Sequence, residues 1–203
     1  MISQATIDRL PIYHRTLQVL DNEGIEIISS EELGKIIGVT PEQIRKDLST
    51  FGEFGKKGVG YYVQELMRNI AEILGINKTW NMAVVGIGHL GWALANYSNF
   101  SSHNFLIKAL FDIDPDVVGS CVNKVRIHHN DEMIPVIKEH NIQIAIIATP
   151  VKAAQNVADL LIKAGVKGIW NFAPVKVVAP PNIPVVNEDL SISLSSISYY
   201  LSR

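Results

Sequence analysis

Met82-Ala83-Val84-Val85-Gly86-Ile87-Gly88-His89-Leu90-Gly91 decides the fold. An apolar run leads straight into a Gly-x-Gly-x-x-Gly pattern. A helix-compatible segment follows, and a second apolar run, Leu106 to Phe111, ends at Asp112. The glycine pattern alone is weak, but strand, turn, helix and trailing acid in this order form a dinucleotide-binding fingerprint. Gly86 permits a tight turn out of the strand. Gly88 lets a pyrophosphate approach the backbone, and Gly91 lets the helix pack closely on the strand. The phosphates then sit at the helix N-terminus, where free N–H groups favour anions, so Gly86, Ile87, Gly88, His89, Leu90 and Gly91 form the expected binding turn. Asp112 lies 21 positions after Gly91, the place for a carboxylate that accepts a ribose 2′-OH. Such an acid repels a 2′-phosphate, which favours NAD⁺ and NADH over their phosphorylated counterparts. Asp114 takes this role if the strand runs two residues longer.

Working outward, the chain changes character near residue 78. Beyond it, apolar runs near 82–86, 107–112, 125–129, 144–148, 167–171 and 184–187 alternate with helical stretches near 89–99, 130–140 and 151–164. Ile144-Ala145-Ile146-Ile147-Ala148 is apolar throughout, as a strand buried on both faces must be. The alternation predicts an α/β Rossmann domain over 79–187, a doubly wound parallel sheet with right-handed crossovers. The turn after the buried strand places Thr149 and Pro150 at the carboxyl end of the sheet, where open α/β folds bind ligands. They are the expected nicotinamide-side residues, unless they merely start a helix. Tyr97 projects from the fingerprint helix, toward the cofactor or as ordinary packing. From 188 to 203 a last amphipathic helix is expected, with Leu190, Leu194, Ile197 and Leu201 in one stripe that docks on its own domain or on a second chain.

Residues 1–78 read as a separate head. Pro11 opens a helix to about Asn22 with Leu17 and Leu20 on one face. Ser30 caps a second helix, Glu31 to Ile37, either Ser29 or Ser30 forming a capping box with the following glutamates, and Gly38 stops it. Thr40 caps a third, opened by Pro41 and running to about Phe51. Its stripe Ile44, Leu48, Phe51 is expected to face inward, leaving Arg45, Lys46 and Ser49 on or beside the outer face. Two short helices joined by a glycine-containing turn form a helix-turn-helix, the second being the recognition helix. Gly52 to Val63 then carries closely spaced glycines and Lys56-Lys57 before Tyr61-Tyr62-Val63, a small β-hairpin or wing. A helix from Gln64 to Leu74 ends the head. Arg45, Lys46, Lys56 and Lys57 form a local basic patch that suits DNA, the helix reading the major groove and the wing touching backbone or minor groove.

Composition restricts the remaining possibilities. The chain has 203 residues, 47% apolar and 19% charged, ordinary for a globular protein. Its net charge is −2, and residues 1–78 carry 9 Lys/Arg against 11 Asp/Glu, so nucleic-acid contact has to come from local clustering. No apolar run reaches the roughly 18 residues of a membrane span. The segment MISQATIDRL does not read as a signal peptide, and the single Cys121 has no partner for an internal disulfide, so a cytoplasmic protein is expected. His128 and His129 point to opposite faces of a strand and cannot easily share an ion, so no metal site is expected. His14, His103 and His140 have no apparent partner at ligand spacing, and nothing marks a catalytic pair.

The order of these features resembles the Rex redox-sensing transcriptional repressors over nearly the whole chain. The resemblance is carried by Val39-Thr40-Pro41-Glu42-Gln43-Ile44-Arg45-Lys46-Asp47-Leu48, by Phe54-Gly55-Lys56-Lys57-Gly58-Val59-Gly60-Tyr61, and by Val85 to Gly91. It implies a homodimer with two winged helix-turn-helix heads and two Rossmann cores, the C-terminal helix being exchanged between subunits. It implies binding to palindromic operators and release when NADH replaces NAD⁺, usually at genes of fermentation and respiration. DNA contacts are then expected at Arg45, Lys46, Ser49, Lys56, Lys57, Gly58 and Tyr61. Arg15, Tyr97 and Asp189 match the family's coupling residues. The implied switch is an Asp189–Arg15 salt bridge in one state and an Asp189–Tyr97 contact in the other.

A different class of reading is an NAD-dependent oxidoreductase with a helical extension. It needs a substrate domain, and too few residues follow the last expected strand to build one. A CoA-binding Rossmann module shares the strand order, and Asp112 argues mildly against it.

Overall fold

The computed structural model describes residues 2–56 and 58–202. The chain divides into two compact units, residues 1–78 and 79–203.

The first unit opens with α1, Gln4–Asn22. Ser3 is its N-cap, its hydroxyl accepting from the Thr6 N–H at 3.2 Å. The helix thus begins seven residues, about two turns, before Pro11, which lies in its interior. A buried face of Leu10, Tyr13, Leu17 and Leu20 holds the segment helical across the proline, tertiary packing outweighing the lost hydrogen bond. A two-residue strand β1, Ile27–Ile28, was not expected; then comes α2, Ser30–Ile37. Ser29, not Ser30, caps α2, closing a reciprocal box with Glu32. Helix α3 covers Pro41–Ser49 behind Thr40, and the wing is β2, Gly55–Lys56, with β3, Gly60–Tyr62. Helix α4 spans Val63–Leu74. The three strands form one antiparallel sheet in the order β1-β3-β2. Leu10, Tyr13, Leu17, Leu33, Ile44, Leu48, Leu66 and Ile70 make the core of this head.

The second unit is a seven-stranded sheet ordered β10-β9-β8-β4-β5-β7-β6. In chain order its strands are β4 (Trp80–Val85), β5 (Phe105–Asp112), β6 (Cys121–Val122), β7 (Val125–His129), β8 (Ile144–Ile147), β9 (Gly168–Asn171) and β10 (Val185–Asn187). Six run parallel. The exception is β6, a short antiparallel edge strand folded back on β7 through Asn123 and Lys124, both at positive φ. Helices α5 (His89–Ala95), α6 (Asn99–Ser102), α7 (Met133–Glu139), α8 (Val151–Ala164) and α9 (Leu190–Leu201) complete the unit. The stretch expected as one helix over 89–99 breaks at Asn96, whose side chain donates back to the Trp92 carbonyl at 2.8 Å. Strand alternation splits the apolar residues between two faces. Ala83, Val85, Phe111 and Ile147 pack with α7 and α8, while Met82, Val84, Leu110 and Ile146 form a second cluster with Leu94 and Phe100. The sheet order reverses between β4 and β8, and the crevice outside their carboxyl ends is the ligand position of such folds.

Candidate dinucleotide site and nucleic-acid interface

The crevice exists, with a volume of about 500 Å³, and Gly86, Gly88, Asp112, Asp114, Thr149 and Pro150 are among its lining residues. Each fingerprint glycine has a separable reason. Gly86 has φ +89°, and a Cβ there would stand 2.7 Å from the Ala148 carbonyl oxygen. At Gly91 a Cβ would fall 1.8 Å from the Gly86 carbonyl oxygen, so any side chain would push the helix off the turn. At Gly88 a Cβ would meet nothing within 4 Å. The fold therefore has no need of glycine at 88; the open space is what a close-lying pyrophosphate requires.

The turn is tied to both neighbouring strands. The Gly86 N–H donates to the Phe111 carbonyl at 2.8 Å, and the Ala148 N–H donates to the Val85 carbonyl at 2.8 Å. Asp112, the last residue of β5, is half-buried. Its Oδ2 accepts from the Ile87 N–H at 2.5 Å, and its Oδ1 from the N–H groups of Ile113 at 2.7 Å and Asp114 at 3.0 Å. A carboxylate has about four acceptor positions, so one remains for a ribose hydroxyl. The strand stops at Asp112, which leaves Asp114 two residues beyond it. The Ile87 side chain is buried, while His89 and Leu90 begin α5 behind Gly88. Thr149 Oγ1 is buried without a hydrogen-bond partner. Tyr97 lies just past the end of α5 rather than on it, 53% exposed, its ring edge-on to Phe100. Asp189 is the N-cap of α9, accepting from the Ser191 N–H at 2.9 Å and hydroxyl at 2.6 Å, and these bonds hold its carboxyl below the usual range.

In the head, Arg45, Lys46 and Ser49 are exposed on α3, as expected for a reading face. Arg45 is engaged at 2.9 Å with Glu42, at 3.3 Å with Glu31 and at 2.6 Å with the Ser30 hydroxyl. Exposed pairs of this kind contribute little, so freeing the Arg45 guanidinium from them costs little. A groove of about 630 Å³ between α3 and the wing is lined by Arg45, Ser49, Gly55, Lys56, Gly58 and Gly60 among others. Lys57 lies outside the described residues. Tyr61 also lines this groove, but strand alternation packs most of its ring into the head's core, leaving it 8% exposed, and burial raises its hydroxyl pKa. The exposed ring is its neighbour Tyr62, with the Lys56 ammonium 5.0 Å from the ring centre. Arg15 is exposed on α1, beside Ile12, Val19 and Ile36.

Sequence reasoning missed one residue entirely. Asp47 stands on α3 between Lys46 and Leu48, yet it is 1% exposed. Arg9 donates to it twice, from Nε at 2.6 Å and from the terminal nitrogen at 2.8 Å. The Tyr13 hydroxyl donates at 2.7 Å, the Gln43 amide at 2.8 Å and the Thr6 hydroxyl at 3.2 Å. Burial alone would raise this carboxyl, but the hydrogen bonds from Arg9, Tyr13 and Gln43 overcome it and hold the pKa at about 2. Among the described residues no cluster of three or more metal-ligating side chains occurs, and no helix is long and apolar enough to cross a membrane.

A family model of a CoA-binding domain matches residues 77–175, and one of a DNA-binding protein N-terminus matches residues 1–49. The redox-sensing transcriptional repressor Rex of Syntrophobacter fumaroxidans is 52% identical over 202 residues, covering 99% of this chain and 96% of that protein. The Rex repressor of Clostridium beijerinckii is 48% identical, covering 100% and 96%. Among solved structures, RSP in complex with β-NAD⁺ and operator DNA superposes with a TM-score of 0.95 at 42% identity, covering 99% of this chain and 93% of that one. RSP in complex with β-NADH gives 0.91 at 41% identity, covering 99% and 94%. These relatives are named as repressors rather than enzymes, and with such identity across both units the chain belongs to the Rex family of redox-sensing transcriptional repressors.

Proposed function

We propose that this chain represses transcription according to the NADH/NAD⁺ ratio. As a homodimer in the cytoplasm it binds palindromic operator DNA, and it leaves when NADH replaces NAD⁺, controlling genes of fermentation and respiration. The observation that carries the reading is the open space at Gly88 facing Asp112, a seat shaped for a dinucleotide, in a chain that also carries a winged head with an exposed Arg45-Lys46 face. The proposed nucleotide contacts are the turn from Gly86 to Gly91 with Asp112, Thr149, Pro150 and Tyr97. The proposed DNA contacts are Arg45, Lys46, Ser49, Lys56, Lys57, Gly58 and Tyr61. Arg15, Tyr97 and Asp189 are the proposed coupling residues.

Dimerisation is supported by α9. Leu190, Leu194, Ile197 and Leu201 are 61%, 66%, 54% and 82% exposed, an apolar stripe that a second copy would cover. A ligand moves a two-state equilibrium only through its differential affinity. Discrimination of about 100-fold between the nicotinamide forms supplies about 2.7 kcal/mol per subunit. That suffices to misalign two heads that must span half-sites roughly 34 Å apart.

The test is fluorescence anisotropy of a labelled palindromic duplex, titrated separately with NADH and NAD⁺. Tight binding that NADH abolishes and NAD⁺ preserves is the expected result. An unresponsive or absent complex, with NADH still bound, would return the oxidoreductase reading.

A further inference from the structure

Four aromatic rings form a row in the second unit. Tyr97 meets Phe100 with ring centres 5.0 Å apart, Phe100 meets Trp170 at 6.1 Å, and Trp170 meets Phe172 at 4.6 Å, the first two pairs edge-to-face. The row begins just beyond the fingerprint helix α5 and ends at the carboxyl end of β9. There it touches the segment that leads into α9. The Trp170 indole N–H donates to Glu188 Oε2 at 3.4 Å, and the Glu188 N–H donates to the Asn171 carbonyl at 2.8 Å. Trp170 and Asn171 point to opposite faces of β9. The fully buried Asn171 side chain donates to Asn187 Oδ1 at 2.9 Å and accepts from the Ala173 N–H at 3.1 Å, which fixes the strand end from the other side. Glu188 immediately precedes Asp189, the N-cap of α9.

Two elements far apart in sequence thus share one short mechanical path. We infer that Trp170 is a positioning residue of the redox switch, relaying the state of the nucleotide turn through Phe100 and Glu188 to the base of α9. The inference rests on the proposed NADH response and assigns Trp170 no contact with nucleotide or DNA. Edge-to-face rings resist sliding because each buries a specific edge against a specific face. A displacement at Tyr97 therefore reaches Trp170, and the indole hydrogen bond carries it to the residue before the α9 cap. Because α9 presents the exposed apolar stripe, a shift at its base alters how two copies meet.

The experiment uses the full-length dimer and two readouts, the Kd for NADH and the factor by which saturating NADH weakens operator binding. Trp170→Phe keeps a ring and loses the N–H. Glu188→Ala loses the acceptor, and Glu188→Gln keeps one. The expected result is an NADH Kd within about twofold of the wild type in every variant. The NADH-induced weakening falls by about fivefold or more in Trp170→Phe and in Glu188→Ala, and Glu188→Gln restores it. The double variant Trp170→Phe with Glu188→Ala is no worse than either alone, since both cut the same link. Should Trp170→Phe fail to fold, the Glu188 pair, which leaves every ring in place, carries the test. Unchanged coupling in Glu188→Ala, or additive losses in the double variant, overturns the inference while the redox-repressor reading stands. A wild type that NADH does not release overturns both.

Discussion

Arg9 on α1 and Asp47 on α3 form a two-point ion pair at 2.6 and 2.8 Å, with the Asp47 side chain almost wholly buried. The carboxylate that anchors α3 is thus held by the first helix of the head, and Tyr13, also on α1, donates to it as well. Arg45 and Lys46 can face outward because Asp47, next in sequence, faces in.

Removing Arg9 leaves a buried carboxylate without its cation. Arg9→Ala is expected to destabilise the head by about 3 kcal/mol, the usual cost of breaking one side of a buried pair. Operator affinity should fall with it, while the NADH Kd holds. Thermal unfolding and the two titrations decide. An unaltered melting temperature would mean that Tyr13, Gln43 and Thr6 suffice.

The same carboxylate sets an acid limit. Its pKa is held at about 2 against an ordinary 3.8, so its stabilisation is present above pH 4 and is lost as pH falls toward 2. The shift corresponds to roughly 2 kcal/mol. Urea unfolding across this range should show stability dropping in the wild type. In Asp47→Asn that part of the slope should vanish from a lower starting value; an identical slope would assign it to other groups.

Two glycine substitutions should fail in different ways. Gly91→Ala places a methyl group 1.8 Å from the Gly86 carbonyl oxygen and should lower the melting temperature. Gly88→Ala meets nothing in the protein, so the fold should survive while nucleotide binding collapses. Circular dichroism melts beside NADH titrations separate the two. Normal NADH affinity in folded Gly88→Ala would move the pyrophosphate elsewhere.

Asp112→Ala removes the proposed ribose acceptor and the bond that holds the Ile87 N–H. NADH affinity should drop by about tenfold or more, from lost charge-assisted hydrogen bonds worth about 1.5–3 kcal/mol. Isothermal titration would show it, and wild-type affinity would dismiss Asp112 as the ribose ligand.

Arg15→Ala is expected to leave NADH affinity intact and to blunt NADH-driven release of the operator. Anisotropy of the duplex with and without NADH reads this out. Full release in the variant would eliminate the proposed Arg15–Asp189 partnership.

Much of this was legible in the residues. The apolar run into Gly86, the spacing to Asp112 and the Thr40-Pro41 helix start are local signals, and local chemistry determines them. Asp47 was not legible, because its partner Arg9 lies 38 residues away and only the packed head brings them together. Pro11 misled for the same reason, since burial of Tyr13 and Leu17 carries α1 through it. On β3 the alternation of Tyr61 and Tyr62 was readable, but its phase was set by pairing with Ile27 and Ile28. The break at Asn96 came from a side chain competing for the backbone, which helical periodicity does not register.

The Ile87 N–H is bonded to Asp112, and the Gly86 backbone is tied to β5. On the proposed function, a seat held in shape by the protein's own hydrogen bonds makes sensing a contest rather than an act of folding. Oxidised and reduced cofactor would then compete for one seat, and while the pool is large enough to keep it filled, the outcome would follow their proportion rather than their total. A cell whose cofactor supply halves, with its balance kept, would then read the same message.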